Sequence, residues 1–386
     1  MTVQPPGAPE DTLLHRLLVG TQELQRIPPW ALLVLMVVNA LVAGFVWGTA
    51  GRTNEAIIAT LLTLGFSLGM WAALWQLPRL RRSFGPDRPS ALALTLVFAA
   101  LTIITGALNA PLWLLGALLG AVATAALYAT WVEPFRLGVT RDTLGNGPAP
   151  GLRLLHLSDL HVEYLTARER RLNSLITSLQ PDVIVFTGDF ISLSYNRDER
   201  SIQDVRDVIA GWKAPLGVFA VPGTPTVESL ELVARFVRDI PHVTLLVNRW
   251  QRVQAQGVTL HLAGMITTHQ AEADRAAVMA LRQTMPADGV RVLLSHTPEV
   301  APDAEEAGFD LLLCGHTHGG QLRLPVIGPL MTGSRLGRRF VMGRQQSGSL
   351  TVYTSRGIGM EGLGAPRARF LCPPEIIEWD VRTTTS

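Results

Sequence analysis

Carboxylates and imidazoles stand at the ends of apolar runs in this 386-residue chain, a placement suited to holding a metal ion. Residues 152–157 lead into Ser158-Asp159-Leu160-His161, and residues 183–187 lead into Gly188-Asp189. Two later runs end in Ser295-His296 and in Gly315-His316-Thr317-His318-Gly319-Gly320. Brought to one edge of a sheet, these side chains make an oxygen and nitrogen donor set for Mn, Fe or Zn rather than for Ca or a thiolate-held structural zinc. Each fragment alone is commonplace: Asp-x-His as a strand-end turn, Gly-Asp as a loop dipeptide, His-Thr-His as a surface pair. Their joint occurrence, each directly after an apolar run, points to a metal centre. The other histidines lack that context. His15 lies in the N-terminal tail, His156 and His261 read as satisfied core residues within apolar runs, and His242 follows a proline in a loop.

The elements that must position these groups follow from periodicity. Short apolar runs at 152–157, 183–187, 217–221, 243–246, 258–263, 290–295 and 310–314 predict strands, and stretches of helical period at 168–179, 202–212, 227–239 and 271–284 predict helices. Strands and helices alternate at first; strand signals then dominate, at 350–355 and 375–381. That order predicts a sheet-based sandwich with helices outside.

The order Asp159-x-His161, Gly188-Asp189, His296 and Gly315-His316-Thr317-His318 resembles the calcineurin-like metallophosphoesterases. The finer pattern is Gly315-His316-Thr317-His318-Gly319-Gly320-Gln321, then Ser355-Arg356-Gly357-Ile358-Gly359 and Cys372-Pro373-Pro374-Glu375-Ile376. It is similar to the bacterial membrane-associated branch that includes phosphodiesterases and UDP-2,3-diacylglucosamine pyrophosphatase-type enzymes. The resemblance covers roughly residues 151–382 and implies a four-layer α/β/β/α sandwich with two divalent metal ions. It implies that Asp159, His161 and His318 hold one ion, that His296 and His316 hold the other, and that Asp189 bridges them. A metal-activated hydroxide would attack phosphorus in line, with Asp189 and His296 central to catalysis.

One family element departs from its pattern. Where Gly-Asn-His-Asp or Gly-Asn-His-Glu is expected after the third strand, this chain has Gly223-Thr224-Pro225-Thr226. Thr224 is a poor neutral ligand, and Pro225 can neither donate a proton nor bind metal. The second site is therefore expected to be weakened, and loss of a positioned acid costs on the order of 10²–10⁴ in rate. His269, in the loop after 258–263, is a candidate replacement; its plainer reading is a solvated loop residue. Arg323 and Arg356 could steer phosphate, against a plainer reading as solubilising surface arginines.

The N-terminal part has a different character. Hydrophobic residues make up 48% of the chain and charged residues 17%, with mean hydropathy +0.26, more apolar than a soluble enzyme. Stretches 30–51, 56–78 and 89–132 contain no Asp, Glu, Lys or Arg. A hydrocarbon core of about 30 Å takes roughly 20 helical residues, so these predict four transmembrane helices, about 30–51, 56–78, 89–109 and 111–132. Asn109-Ala110-Pro111 is the hairpin between the last two. The predicted organisation is a tail at 1–29, the four spans at 30–132, a linker at 133–150 and the metallophosphoesterase domain at 151–382. No span carries an ionisable side chain for an ion relay, which argues against a transporter and for an anchor. Gly116 and Gly120 form a GxxxG pair, read as ordinary helix packing.

Arginine placement sets the expected orientation. With the N-terminus inside, Arg16, Arg26, Arg79, Arg81, Arg82, Arg88, Arg136 and Arg141 are cytoplasmic and Arg52 alone is outside. The expectation is a multi-pass protein of the bacterial inner membrane with its catalytic domain in the cytoplasm. Cys314 and Cys372 fit that reducing compartment. The first 149 residues hold 9 Arg and 7 acidic residues, and the rest is balanced at 24 of each sign, which argues against nucleic acid as a partner. The expected partners are the lipid bilayer and a phosphorylated small-molecule or lipid substrate. The expected activity is hydrolysis of a phosphodiester or pyrophosphate; the alternative is a degenerate domain that binds metal or a phosphorylated ligand with little turnover.

Overall fold

The computed structural model describes residues 20–21, 23–49, 51–361 and 367–383. His15, Arg16 and most of the N-terminal tail lie outside these residues. The described chain divides into two units, one of residues 20–132 with 367–368 and the other of 133–361 with 369–383.

The first unit supplies four helices long and apolar enough to cross a membrane: α1 (Pro29–Thr49), α2 (Thr53–Arg79), α3 (Asp87–Ala107) and α4 (Leu112–Leu127), the last of which reaches that length only with the π and 3-10 turns that continue it to Phe135. Large side chains such as Leu41, Phe45, Leu61 and Ile104 are exposed along them, as in helices that face lipid rather than water. Polar groups inside find local partners at two places: Thr63 Oγ1 lies 2.7 Å from Thr102 Oγ1, and Trp47 Nε1 donates to the Thr102 carbonyl at 2.9 Å. The helices approach closely at Gly44, where an added Cβ would strike Thr60, and at Gly106, where it would strike the Trp47 ring at 2.5 Å. Gly116 and Gly120 have open space at their Cβ positions, so the GxxxG pair is not a packing motif here.

The second unit is built on two six-stranded sheets. The first sheet contains β1 (Gly138–Leu144), β2 (Leu152–Leu157), β3 (Val183–Phe186), β4 (Val218–Ala220), β5 (Val243–Leu245) and β14 (Glu375–Val381), in the order β1-β14-β2-β3-β4-β5. The second contains β6 (Arg249–Ala255), β7 (Val258–Gly264), β8 (Val290–Leu294), β9 (Leu311–Cys314), β12 (Gly343–Ser347) and β13 (Leu350–Thr354), in the order β12-β13-β9-β8-β7-β6. A short hairpin, β10 (Arg323–Leu324) and β11 (Gly328–Pro329), stands apart from both. The central strands run parallel, and β6, β12 and β14 supply the antiparallel pairs.

Strand alternation explains the layering. Leu154 and Val185 of the first sheet meet Leu262, Val292 and Leu313 of the second in an inter-sheet core. Their neighbours Leu155 and Ile184 point the other way, onto α5 (Ala167–Leu179), α6 (Glu199–Ala210) and α7 (Leu230–Val237). Leu293 and Leu312 point onto α8 (Ala271–Thr284) and α9 (Ala301–Glu306). The result is the expected four-layer α/β/β/α sandwich.

Several boundaries differ from the sequence expectation for identifiable reasons. The stretch read as a linker, 133–150, contains β1, which pairs in parallel with β14 from Gly138↔Glu375 to Leu144↔Val381. Its residues are polar and only partly buried, so no apolar run announces it. The polar edge strands β6 and β12 were hidden for the same reason. Helices α6 and α7 start where Asp198 and Ser229 accept from the N–H groups of Ser201 and Leu232, side-chain caps that set the first turn. His261 is buried as expected but is not hydrogen-bonded; it packs edge-on against Trp250 and lies 3.6 Å from Asp288. His156 binds Thr187 Oγ1 at 3.0 Å through Nε2 and leaves Nδ1 without a partner.

Candidate metal centre

The turns after β2, β3, β8 and β9 converge at one edge of the sandwich. They bring Asp159, His161 and His318 together, and Asp189, His296 and His316 together, with the ligand atoms of each trio within 4.8 Å of one another. Asp189 joins the two trios: its Oδ2 lies 3.5 Å from His161 Nε2 and 3.2 Å from His296 Nε2. The backbone is bent to achieve this. Asp159, His161, Asp189, His316 and His318 all have positive φ, between 42° and 70°, a region non-glycine residues seldom adopt and one that clusters at functional sites.

The donor set fits divalent metal. His161 Nε2 and His318 Nε2 face each other at 3.0 Å, and Asp159 Oδ2 is buried without a hydrogen-bond partner. The outer ring nitrogens are engaged by the protein: His296 Nδ1 donates to the Thr187 carbonyl at 2.7 Å, and His161 Nδ1 lies 3.1 Å from the Glu361 carboxylate. That leaves both Nε2 atoms directed inward, as in metal sites with an outer shell of oriented ligands.

Electrostatics divides the six groups. Burial opposes the charge of Asp189, but His296, His161 and the Thr224 N–H hold its carboxyl well below the usual range. Burial likewise opposes the charge of His296, and Asp189 outweighs it, lifting that imidazole to about 10. His161 is also raised, by Glu361 and Asp189 against burial. Burial and the neighbouring His296 push His316 down to about 4; burial, His161 and Arg369 push His318 well below the ordinary range. Burial, with Asp189 nearby, raises Asp159.

The altered loop after β4 lies inside the site. The Thr224 N–H donates to Asp189 Oδ1 at 2.7 Å, and its hydroxyl lies 3.1 Å from His296 Nε2 and 3.4 Å from Asp189 Oδ2. Gly223 is required at the loop's start: an added Cβ would collide with Asp189 and with Glu228 Oε1. His269 is not remote either, since its ring centre lies 5.7 Å from that of His316. Arg356 instead pairs with Glu375 at 2.6 Å, and Arg323 donates to the Gly319 carbonyl at 2.8 Å.

Three supporting residues were not singled out by the sequence. Glu228 is buried and accepts from the N–H groups of Asp189 (3.0 Å), Phe190 (2.7 Å) and Gly223 (2.7 Å), tying the β3 and β4 turns together. Burial and Asp189 raise its carboxyl to about 7. The one available signal was an acid two positions beyond the place where the family pattern has one. Glu361 had no signal beyond the adjacent glycine-rich motif. Arg369 is fully buried and donates to the carbonyls of Arg356 (2.8 Å), Gly359 (2.5 Å) and Cys372 (3.1 Å), clamping the segment that backs His318.

Comparisons with known proteins find relatives among the phosphoesterases. The sequence pattern of the calcineurin-like phosphoesterase family matches residues 152–320. The metallophosphoesterase YkuE of Bacillus subtilis is 30% identical over 289 residues, covering 69% of this chain and 95% of the relative. The phosphodiesterase YaeI of Escherichia coli is 26% identical, covering 66% and 94%. The UDP-2,3-diacylglucosamine pyrophosphatase LpxG of Chlamydia trachomatis is 28% identical over 319 residues, covering 65% and 93%.

Proposed function

The chain belongs to the calcineurin-like phosphoesterase family, and on that premise we propose that it is a membrane-anchored hydrolase of a lipid-linked phosphodiester or pyrophosphate. The observation that carries this reading is the presence, on one chain, of a two-trio donor set, buried but for the partly exposed His316, and four helices long and apolar enough to span a bilayer. Asp159, His161 and His318 would hold one divalent ion and His296 and His316 the other, with Asp189 shared. Bound there, the ions would supply Lewis-acid stabilisation of the oxygens that gain charge and a lowered pKa for water. The chain's own part is orientation: Thr187 and Glu361 fix the imidazoles, Glu228 fixes the Asp189 turn, and burial keeps bulk water from the carboxylates.

The loop Gly223-Thr224-Pro225-Thr226 narrows the substrate class. Pro225 offers no proton to a departing oxygen, so a leaving group that departs as a stable anion is favoured over a simple alkoxide. The phosphate released from a pyrophosphate is such a group. Anchoring raises the effective concentration of enzyme at a lipid-linked substrate, and the arginine bias supports a cytoplasmic position for the catalytic unit.

The test uses the full chain purified in detergent, with metal content measured and a chromogenic phosphodiester assayed with added Mn²⁺. Turnover abolished by Asp189→Ala and by His296→Ala is expected. A fully loaded site with no turnover above buffer would overturn the hydrolase reading and leave a ligand-binding domain, the alternative that Pro225 favours.

A further inference from the structure

Exposed apolar side chains on the phosphoesterase unit are gathered in one place. Leu324, Val326, Ile327, Leu330 and Met331 fall within eight consecutive residues, and Leu371 adjoins them through the pairing of Leu322 with Phe370. Among the described residues of that unit, Leu230 is the one other large hydrophobic side chain so exposed. Single exposed apolar residues are ordinary, whereas a contiguous group marks an interaction surface.

The backbone is shaped to present this group. It forms the tip of the β10–β11 hairpin, where Val326 reaches 109% relative exposure at φ 67°. A β-branched residue in the left-handed region is an outlier where glycine would be comfortable, so the turn favours projecting an apolar side chain over relaxing the chain. Arg338 braces the tip by donating to the Ile327 carbonyl at 2.8 Å. The hairpin is rooted on the metal-centre turn: Arg323 donates to the Gly319 carbonyl, and a Cβ on Gly320 would collide with Pro329.

Charge along the segment that carries the tip is one-sided. Residues 311–360 contain six arginines and no Asp, Glu or Lys. Arg344 and Arg356 are paired with Asp142 and Glu375. Arg323, Arg335, Arg338 and Arg339 have no carboxylate at ion-pair distance among the described residues, and the last three are exposed. Of these, Arg338 stands at the tip, on the Ile327 and Pro329 carbonyls, and Arg323 at the base of the hairpin. An apolar tip flanked by guanidinium groups without a carboxylate partner is complementary to an anionic lipid surface, with apolar side chains at the acyl boundary and arginines at the phosphates. A chain with four apolar helices meets such a surface as a matter of course.

We propose that the β10–β11 hairpin dips its tip into a bilayer containing anionic lipid, so that the turn bearing His316 and His318 faces the headgroups. The assignment does not depend on hydrolytic activity. It is tested on the full chain in vesicles, with Val326→Cys carrying an environment-sensitive fluorophore and Gln254→Cys, exposed on β6, as reference. Cys314 and Cys372 are buried, and labelling of the parent chain measures their background. In vesicles containing phosphatidylglycerol, the tip label should shift to the blue, be quenched severalfold more than the reference by nitroxide-bearing lipid, and be shielded from iodide. Adding Ile327→Asp should abolish the shift, with metal content showing that the adjoining turn is intact. Iodide access equal to the reference, or shielding without lipid quenching as in a protein contact, would overturn the proposal. Equal shifts in purely zwitterionic vesicles would overturn the role given to the arginines.

Discussion

The Thr224 hydroxyl lies 3.1 Å from Nε2 of His296, at the place where the family pattern puts an asparagine. Neighbouring donors around one small cation with bonds of about 2.1 Å are separated by roughly 3–3.5 Å, so the hydroxyl stands where a ligand would, but as a weak one. Pro225 beside it offers no proton in place of the family's histidine.

Restoring both groups should therefore accelerate the enzyme. Thr224→Asn combined with Pro225→His is expected to raise kcat on a substrate with a poor leaving group on the order of 10²-fold. Thr224→Val should lower affinity for the second metal equivalent without unfolding the protein. Steady-state kinetics and metal titration check both; a repaired chain no faster than its parent would show that this loop is not limiting.

Glu228 should matter for stability before it matters for rate. Glu228→Ala strands three buried N–H groups, of Asp189, Phe190 and Gly223. At about 1–3 kcal/mol for each unsatisfied buried group, a loss of several kcal/mol is expected, softened where water enters. Glu228→Gln, with one acceptor oxygen instead of two, should fall between. Denaturant unfolding followed by circular dichroism measures the order.

Glu361 acts through His161. Its carboxylate lies 3.1 Å from His161 Nδ1, so Glu361→Ala should weaken metal binding about 10–100-fold while leaving the fold intact. Glu361→Gln should recover part of that loss, because its amide oxygen can still accept from Nδ1. Competition titration with a metal indicator reads the difference.

Metal loading should depend on pH with a defined sign. His296 is lifted to about 10 in the metal-free protein, so near pH 7 it carries a proton that an incoming ion must displace. Affinity should rise with pH, with about one proton released for that imidazole, measurable by calorimetry in buffers of different ionisation enthalpy. The stability that the metal-free protein draws from the His296–Asp189 pair is fully present below about pH 6.5 and is lost as pH rises through about 10. Thermal melts of metal-free protein across that window check this.

Residue type and local period were enough to find the four apolar helices, the buried central strands and the six metal-binding candidates. Each of those features is written in consecutive residues: a charge-free stretch, an apolar run, an acid or imidazole directly after it. The departure at Thr224 and Pro225 was legible for the same reason.

Tertiary structure decided what distant segments do for one another. Strand β1 was unreadable because it is polar and finds its partner β14 at the far end of the chain. Glu228 meets Asp189 across 39 residues, Glu361 meets His161 across 200, and Arg369 gathers carbonyls from a segment with no period of its own. A carboxylate's worth depends on which N–H groups are buried against it, and that is set when the two sheets close. The exposed tip at Val326 follows the same logic in reverse: apolar residues are ordinarily buried, and only the folded chain leaves these outside.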